Sequence, residues 1–339
     1  MGNCSRKPKV RTRSSRPPAD PSPPAVQLHG SETSPIAWRI RVALLYKLLD
    51  VDFIESRDGE PFIRCGSETV TGSEESLLRY IDKRFGGPPA AGAATETDGR
   101  GMAVEMMLVQ HRSILQHVEG MARWAEKMTE EAGDGWRGKA ADGRRMARFY
   151  GELVEIMLEH AQMEERFLFP ALDRSADYDV CRTANEEHGR DLPLMNGIKE
   201  DIESCWSPYP ASDFTVQDKD LLDKSVHFVQ EHCKQHFEDE ERELLPLLEA
   251  AESVRRRAGE EKPGMPNRWV QQMVDLMEQT HSRLFSFFAA ALLPREALRY
   301  VGLVSAGDDQ RAIAMLRSIA VSIETSSRPS LPHLYKGCN

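Results

Sequence analysis

The chain has 339 residues and a net charge of −10, with 40% hydrophobic and 29% charged residues. That is long for one domain and supports a real core, which argues against wholesale disorder. The longest apolar run, Leu284 to Leu293, is too short to cross a bilayer, which needs roughly 20 residues. The cysteines Cys4, Cys65, Cys181, Cys205, Cys233 and Cys338 form no CxxC pair, so a zinc ribbon or disulfide scaffold is not expected and a reducing compartment is the default.

Residues 1–25 are rich in Pro, Ser and Arg and read as a disordered basic arm. Arg6, Lys7, Lys9, Arg11, Arg13 and Arg16 give the first residues a charge of +6, leaving an acidic body of −16 that does not suggest nucleic-acid binding. The start Met-Gly-Asn-Cys-Ser offers Gly2 for myristoylation and Cys4 for palmitoylation, although Arg6 stands where Ser or Thr is usual. Two acyl chains, or one and a basic patch, anchor a protein stably. An anionic membrane surface met through residues 1–16, at the cytoplasmic face of the plasma membrane, is therefore expected. The alternatives are a solvated tail or an organelle transit peptide.

Val26 to His29 predicts a strand, Ile36 to Leu49 a helix, Val51 to Ile54 a second strand, Pro61–Ile63 with Glu68–Val70 a hairpin, and Ser73 to Arg84 a closing helix. Ser34-Pro35 followed by Arg39-Ile-Arg-Val-Ala-Leu44, with Leu77-Leu-Arg-Tyr-Ile-Asp82, resembles the thioredoxin-like N-terminal domain of plant glutathione transferases. The resemblance implies Ser34 as the thiol-activating residue, with Pro61, Ser73 and Glu74 on glutathione. The segment 26–86 is truncated between its second and third strands, and Ser73-Glu74 reverses the family's order. A module kept for packing or docking is favoured over a glutathione-binding transferase or reductase. Residues 87–100, rich in Gly, Ala and Pro, read as a linker.

The next segment contains a duplication. His160-Ala-Gln-Met-Glu164-Glu165-Arg-Phe-Leu-Phe-Pro170 is matched by His236-Phe-Glu-Asp-Glu240-Glu241-Arg-Glu-Leu-Leu-Pro246. His111 precedes His160 by 49 residues, and His188 precedes His236 by 48. Each histidine lies on an apolar helical stripe, and HxxxE places a carboxylate on the same face one turn on. Four buried imidazoles and two buried carboxylates are costly unless paired or metal-bound. With no thiolate they suit iron, zinc or manganese. Four histidines and two bridging carboxylates supply about eight bonds, against about twelve for two six-coordinate metals. A bridging oxygen adds about two and leaves about two positions open to dioxygen or another small ligand.

Residues 101–252 accordingly resemble the hemerythrin family, the HHE cation-binding up-down four-helix bundle. The resemblance implies a non-haem di-iron centre on His111, His160, Glu164, His188, His236 and Glu240. It departs from the invertebrate oxygen carriers at Leu192, where they carry another histidine. His232, one turn before His236, is a candidate fifth imidazole or an outer donor. His117 is expected off the core stripe, Glu165 and Glu241 as partners of the arginines beside them, in the layer around the ligands or on the surface, and His281 shows no usable pattern.

Beyond a break at Pro263–Asn267, Arg268 to Leu293 predicts one helix, Leu293 to Tyr300 starts a second and Asp309 to Ile323 forms a third, before a tail at 325–339. These C-terminal helices, within 253–324, are expected to pack on the bundle or, through 268–293, to form a homodimer or meet a protein partner. The sequence thus predicts a multidomain α plus α/β chain. Its expected role is iron or oxygen/redox sensing or handling in the cytoplasm, without an assigned enzymatic reaction. A membrane-associated scaffold with a structural metal and glutathione chemistry are the alternatives.

Overall fold

The computed structural model describes residues 26–56, 59–92, 100–130, 140–173, 178–205, 216–259 and 267–326. The basic arm with Gly2 and Cys4, half of the predicted linker (93–99) and all but the start of the predicted tail lie outside these residues. Among the described residues no helix is long and apolar enough to cross a membrane.

The N-terminal elements follow the predicted order. β1 (Val26–Gly30) is central, parallel to β2 (Val51–Glu55) and antiparallel to β3 (Phe62–Cys65), which pairs with β4 (Glu68–Val70) in the order β2-β1-β3-β4. Helix α1 (Pro35–Tyr46) starts with proline in its first turn, and the Ser34 hydroxyl accepts a hydrogen bond from the Ala37 amide at 3.2 Å. Helix α2 (Glu74–Arg84) is capped in the same way by Ser73, with Glu74 and Glu75 at its start and Lys83 and Arg84 at its end, favourable for its dipole. The start of the predicted linker is fixed rather than loose. The buried Lys47 ammonium bonds the Pro88 carbonyl at 2.7 Å and pairs with Asp82 at 2.8 Å, while Asp82 accepts from the amides of Ala90 and Ala91.

Four long helices follow: α3 (Met102–Glu130), α4 (Ala140–Met163), α6 (Tyr178–Ser204) and α7 (Val216–Glu243). α3 packs on α4, α4 on α6, α6 on α7, and α7 closes on α3. His111 and His188 sit nearer the starts of their helices, and His160 and His236 nearer the ends. Antiparallel neighbours therefore bring all four to one level. Pro170 and Pro246, the last residues of the repeated motif, mark interruptions of their helices. α4 passes into a π turn over Glu164–Leu168, and the short α5 (Phe169–Leu172) restarts at Pro170. α7 breaks before α8 (Leu245–Arg257), with Pro246 in its first turn.

Helix α8 returns two carboxylates to the start of α3. Glu249 accepts from the Gly101 amide at 2.7 Å, and the buried Glu252 accepts from Ala103 at 3.1 Å and from Asn267 at 3.2 Å. A Cβ on Gly101 would lie 1.6 Å from a Glu252 oxygen, so only glycine permits this approach. α3 is thereby placed before its histidine is reached.

The single helix expected over 268–293 is broken. α9 (Arg268–Leu276) ends at Met277, a π turn spans Thr280–Leu284, and α10 (Phe285–Ala290) follows. Trp269, Phe285 and Phe288 are buried inside the chain, so the apolar face expected to meet a second copy or a partner is covered intramolecularly. His117 is not turned away from the interior. It is buried, stacks on Phe287 at 4.0 Å and bonds the Phe287 carbonyl at 2.8 Å, pinning α10 to α3. Burial lowers its pKa to about 4, so the ring is neutral and donates to that carbonyl.

Packing on the bundle describes α9, α10 and α11 (Pro294–Ser305). α12 (Asp309–Ser326) lies instead against α1, where Arg317 sits 5.0 Å over Trp38 and Arg41 pairs with Glu324 at 3.1 Å. Arg39 of α1 also donates to the Leu298 carbonyl of α11 at 2.9 Å. The C-terminal helices thus join the sheet module to the bundle.

Candidate metal centre

Four helices aim polar atoms at one buried point. His111, His160, Glu164 and Glu240 offer donor atoms within 4.8 Å of one another, and so do His188, His236 and Glu240. His111 and His160 form one ring pair, with centroids 5.0 Å apart, and His188 and His236 the other at 5.3 Å. The carboxylates span them. Glu164 turns Oε1 to His160 Nε2 and Oε2 to His188 Nε2, each at 3.5 Å. Glu240 turns Oε2 to His111 Nε2 at 3.5 Å and Oε1 to His236 Nε2 at 3.4 Å.

These gaps are long for hydrogen bonds. They suit two ligands on one cation, which at bonds of about 2.1 Å stand about 3.0–3.5 Å apart. Nε2 of His111, His160 and His188 and both oxygens of Glu164 and Glu240 are buried without a hydrogen-bond partner among the described residues. Each such group costs about 1–3 kcal/mol when left unpaired. The donor set therefore fits one or two borderline or hard cations.

Electrostatics agree. Burial, with the charges of Glu240 and Glu165, holds the Glu164 carboxyl well above its usual range. Burial and then the neighbouring imidazoles push His160 well below. Burial would raise Glu240, but the surrounding histidines outweigh it and lower it. Burial would likewise lower His188, but Glu240 and Glu165 raise it. A bound cation would relieve the crowding of like charges.

Outside the inward atoms the duplication continues. Glu165 accepts from His188 Nδ1 and Glu241 from His111 Nδ1, each at 3.1 Å. These glutamates were expected as partners of the arginines beside them, in the layer around the ligands or on the surface. They do lie in the layer just outside the inward atoms, but they bond the imidazole contributed by the opposite repeat rather than the arginines, a common arrangement around metal-binding histidines. The residue before each first-helix histidine serves the remaining one. Gln110 accepts from His160 Nδ1 at 2.8 Å, and Glu187 lies 3.7 Å from His236 Nδ1. Gln110 and Glu187 share the 77-residue offset of His111 and His188, which is the signal that could have found them.

A cavity of about 170 Å³ reaches the centre between α4, α6 and α7, lined among others by Ala161, Leu192, His188 and His236. His232 stands on its wall with Nε2 bonded to Asp191 at 2.7 Å. The structure does not bring it into either donor group. Ser34 and Ser73 are helix caps in the N-terminal module, and Glu74 pairs with Arg39. Pro61 packs near Gly30, the last residue of β1.

Residues 102–248 match the family model described as the Hemerythrin HHE cation binding domain. A search of curated proteins finds no match. The matched segment begins with α3 and ends within α8, so it contains every residue of the two donor groups. The metal-binding function rests on these two findings together.

Proposed function

We propose that the centre holds two iron ions and that the protein senses or handles iron, or reports oxygen or redox state, through them. The observation that carries this reading is the sharing of Glu240 between two donor groups, with Glu164 spanning the same two histidine pairs. His111 and His160 would hold one ion and His188 and His236 the other, with both carboxylates between them. Non-haem iron in such a nitrogen and oxygen environment supplies one-electron chemistry and affinity for dioxygen.

The protein's own part is to hold four imidazoles with Nε2 inward, to keep the centre buried, and to admit small ligands. The cavity is well below the roughly 300 Å³ of sites for larger organic molecules. Glutathione chemistry has less support, because the hydroxyls of Ser34 and Ser73 and the carboxylate of Glu74 are engaged in holding the module together.

Iron content and absorption spectra of anaerobic and aerated protein test the proposal. We expect a spectrum that changes on aeration, and His160→Ala or His236→Ala to lower iron to below half. Zinc in place of iron, iron blind to oxygen, or undiminished iron in both variants would reject it.

A further inference from the structure

His160 is tied to the C-terminal helices by an unbroken chain of buried hydrogen bonds. His160 Nδ1 meets Gln110 Oε1 at 2.8 Å, Gln110 Nε2 meets the Tyr300 hydroxyl at 3.2 Å, that hydroxyl meets His281 Nε2 at 2.9 Å, and His281 Nδ1 meets the Met277 carbonyl at 2.7 Å. Gln110, Tyr300, His160 and His281 are all buried.

The direction of each bond follows from the last one. A backbone carbonyl can only accept, so His281 carries its proton on Nδ1 and leaves Nε2 bare. Burial lowers the His281 pKa to about 4, so the ring has one proton to place. Tyr300 must then donate to His281, and its oxygen can only accept from Gln110. Gln110 presents its amino group to Tyr300 and its carbonyl to His160. His160 therefore carries its proton on Nδ1, and Nε2 turns a bare lone pair toward Glu164.

We propose that Tyr300 and His281, which lie outside the four long helices, are positioning residues that fix the Gln110 amide and, through it, the metal-competent tautomer of His160. Without the Tyr300 hydroxyl the amide is free to flip. A flipped amide offers N–H to His160 Nδ1 and drives the proton to Nε2, where it blocks ligation. The second repeat needs no such device. Its counterpart of Gln110 is Glu187, whose carboxylate only accepts and has no wrong orientation. The α9–α11 region is thereby coupled to one half of the centre and not to the other.

The metal arm of the test rests on the di-iron reading; the tautomer arm, made on metal-free protein, does not. Tyr300→Phe keeps the ring that packs against Phe288 and His281 and removes only the hydroxyl. Imidazole ¹⁵N shifts of metal-free protein should show His160 as the Nδ1–H tautomer in wild type and a mixture in Tyr300→Phe. After loading with ferrous iron, a chelator should remove about one iron per chain 10–100-fold faster from the variant, the range for a lost outer partner of a ligand. Adding Gln110→Glu to Tyr300→Phe should restore both readouts, because a carboxylate cannot flip. A purely structural tyrosine would not be rescued by a buried charge. An unchanged tautomer in Tyr300→Phe, or no recovery in the double variant, would overturn the proposal. Failure of wild type to hold iron with the tautomers as stated would remove the di-iron reading alone.

Discussion

His111 and His160 are 0% and 2% exposed, whereas His188 is 7% exposed and the His236 side chain 12%, and the cavity touches His160, His188 and His236 but not His111. The two pairs arise from one repeated motif, yet one is buried more deeply than the other, and among the four histidines only His111 is shut off from the cavity. The residue after each HxxxE histidine accounts for much of the contrast. Phe237, after His236, stacks on His111 with ring centroids 4.3 Å apart, while Ala161, after His160, lines the cavity beside His188. A duplicated bundle can thus keep its ligands fixed while the side chain after each HxxxE histidine sets how deeply the facing imidazole is buried.

Removing the group common to both halves should have the largest effect. Glu240 belongs to both donor sets, so Glu240→Ala should abolish iron at both positions, measured by elemental analysis of purified protein. Retention of about one iron per chain would break the shared-carboxylate account. Phe237→Ala should next destabilise the metal-free protein by about 3–5 kcal/mol in denaturant unfolding, the usual cost of deleting a buried aromatic. In loaded protein it should also speed release of the iron beside His111 to a chelator. Equal release rates before and after would separate the shielding of His111 from Phe237.

The reverse substitution sharpens the contrast. Ala161→Phe should fill the cavity and slow azide binding to loaded protein by about tenfold or more, read by stopped-flow absorbance. An unchanged rate would place the entrance elsewhere. The smallest effect should come from the N-terminal module, where Ser34→Ala removes a helix cap worth about 1 kcal/mol and leaves iron content unaltered. A loss of iron or of a glutathione-dependent rate would give Ser34 a role beyond the cap.

Much of this arrangement is legible in the chain itself. The order of strands and helices between Val26 and Arg84 follows from period, capping serines and turn residues, all of which act over a few positions. The six inward side chains follow from helical spacing and repetition. The outer partners are harder, because Glu165 and Glu241 reach across to the opposite repeat and helical spacing shows only neighbours on the same helix. Tyr300 and His281 leave no local signal: their link to Gln110 joins residues 190 apart in the chain and forms only when α11 docks on α3. The burial of α12 against α1 is hidden for the same reason, since an apolar helical stripe does not say which surface will cover it.

The most direct test of the central claim is the identity and number of metal ions on protein produced in iron-rich medium, by elemental analysis against protein concentration. The paired donor groups predict about two irons per chain. A single zinc per chain, or no bound metal, would contradict them.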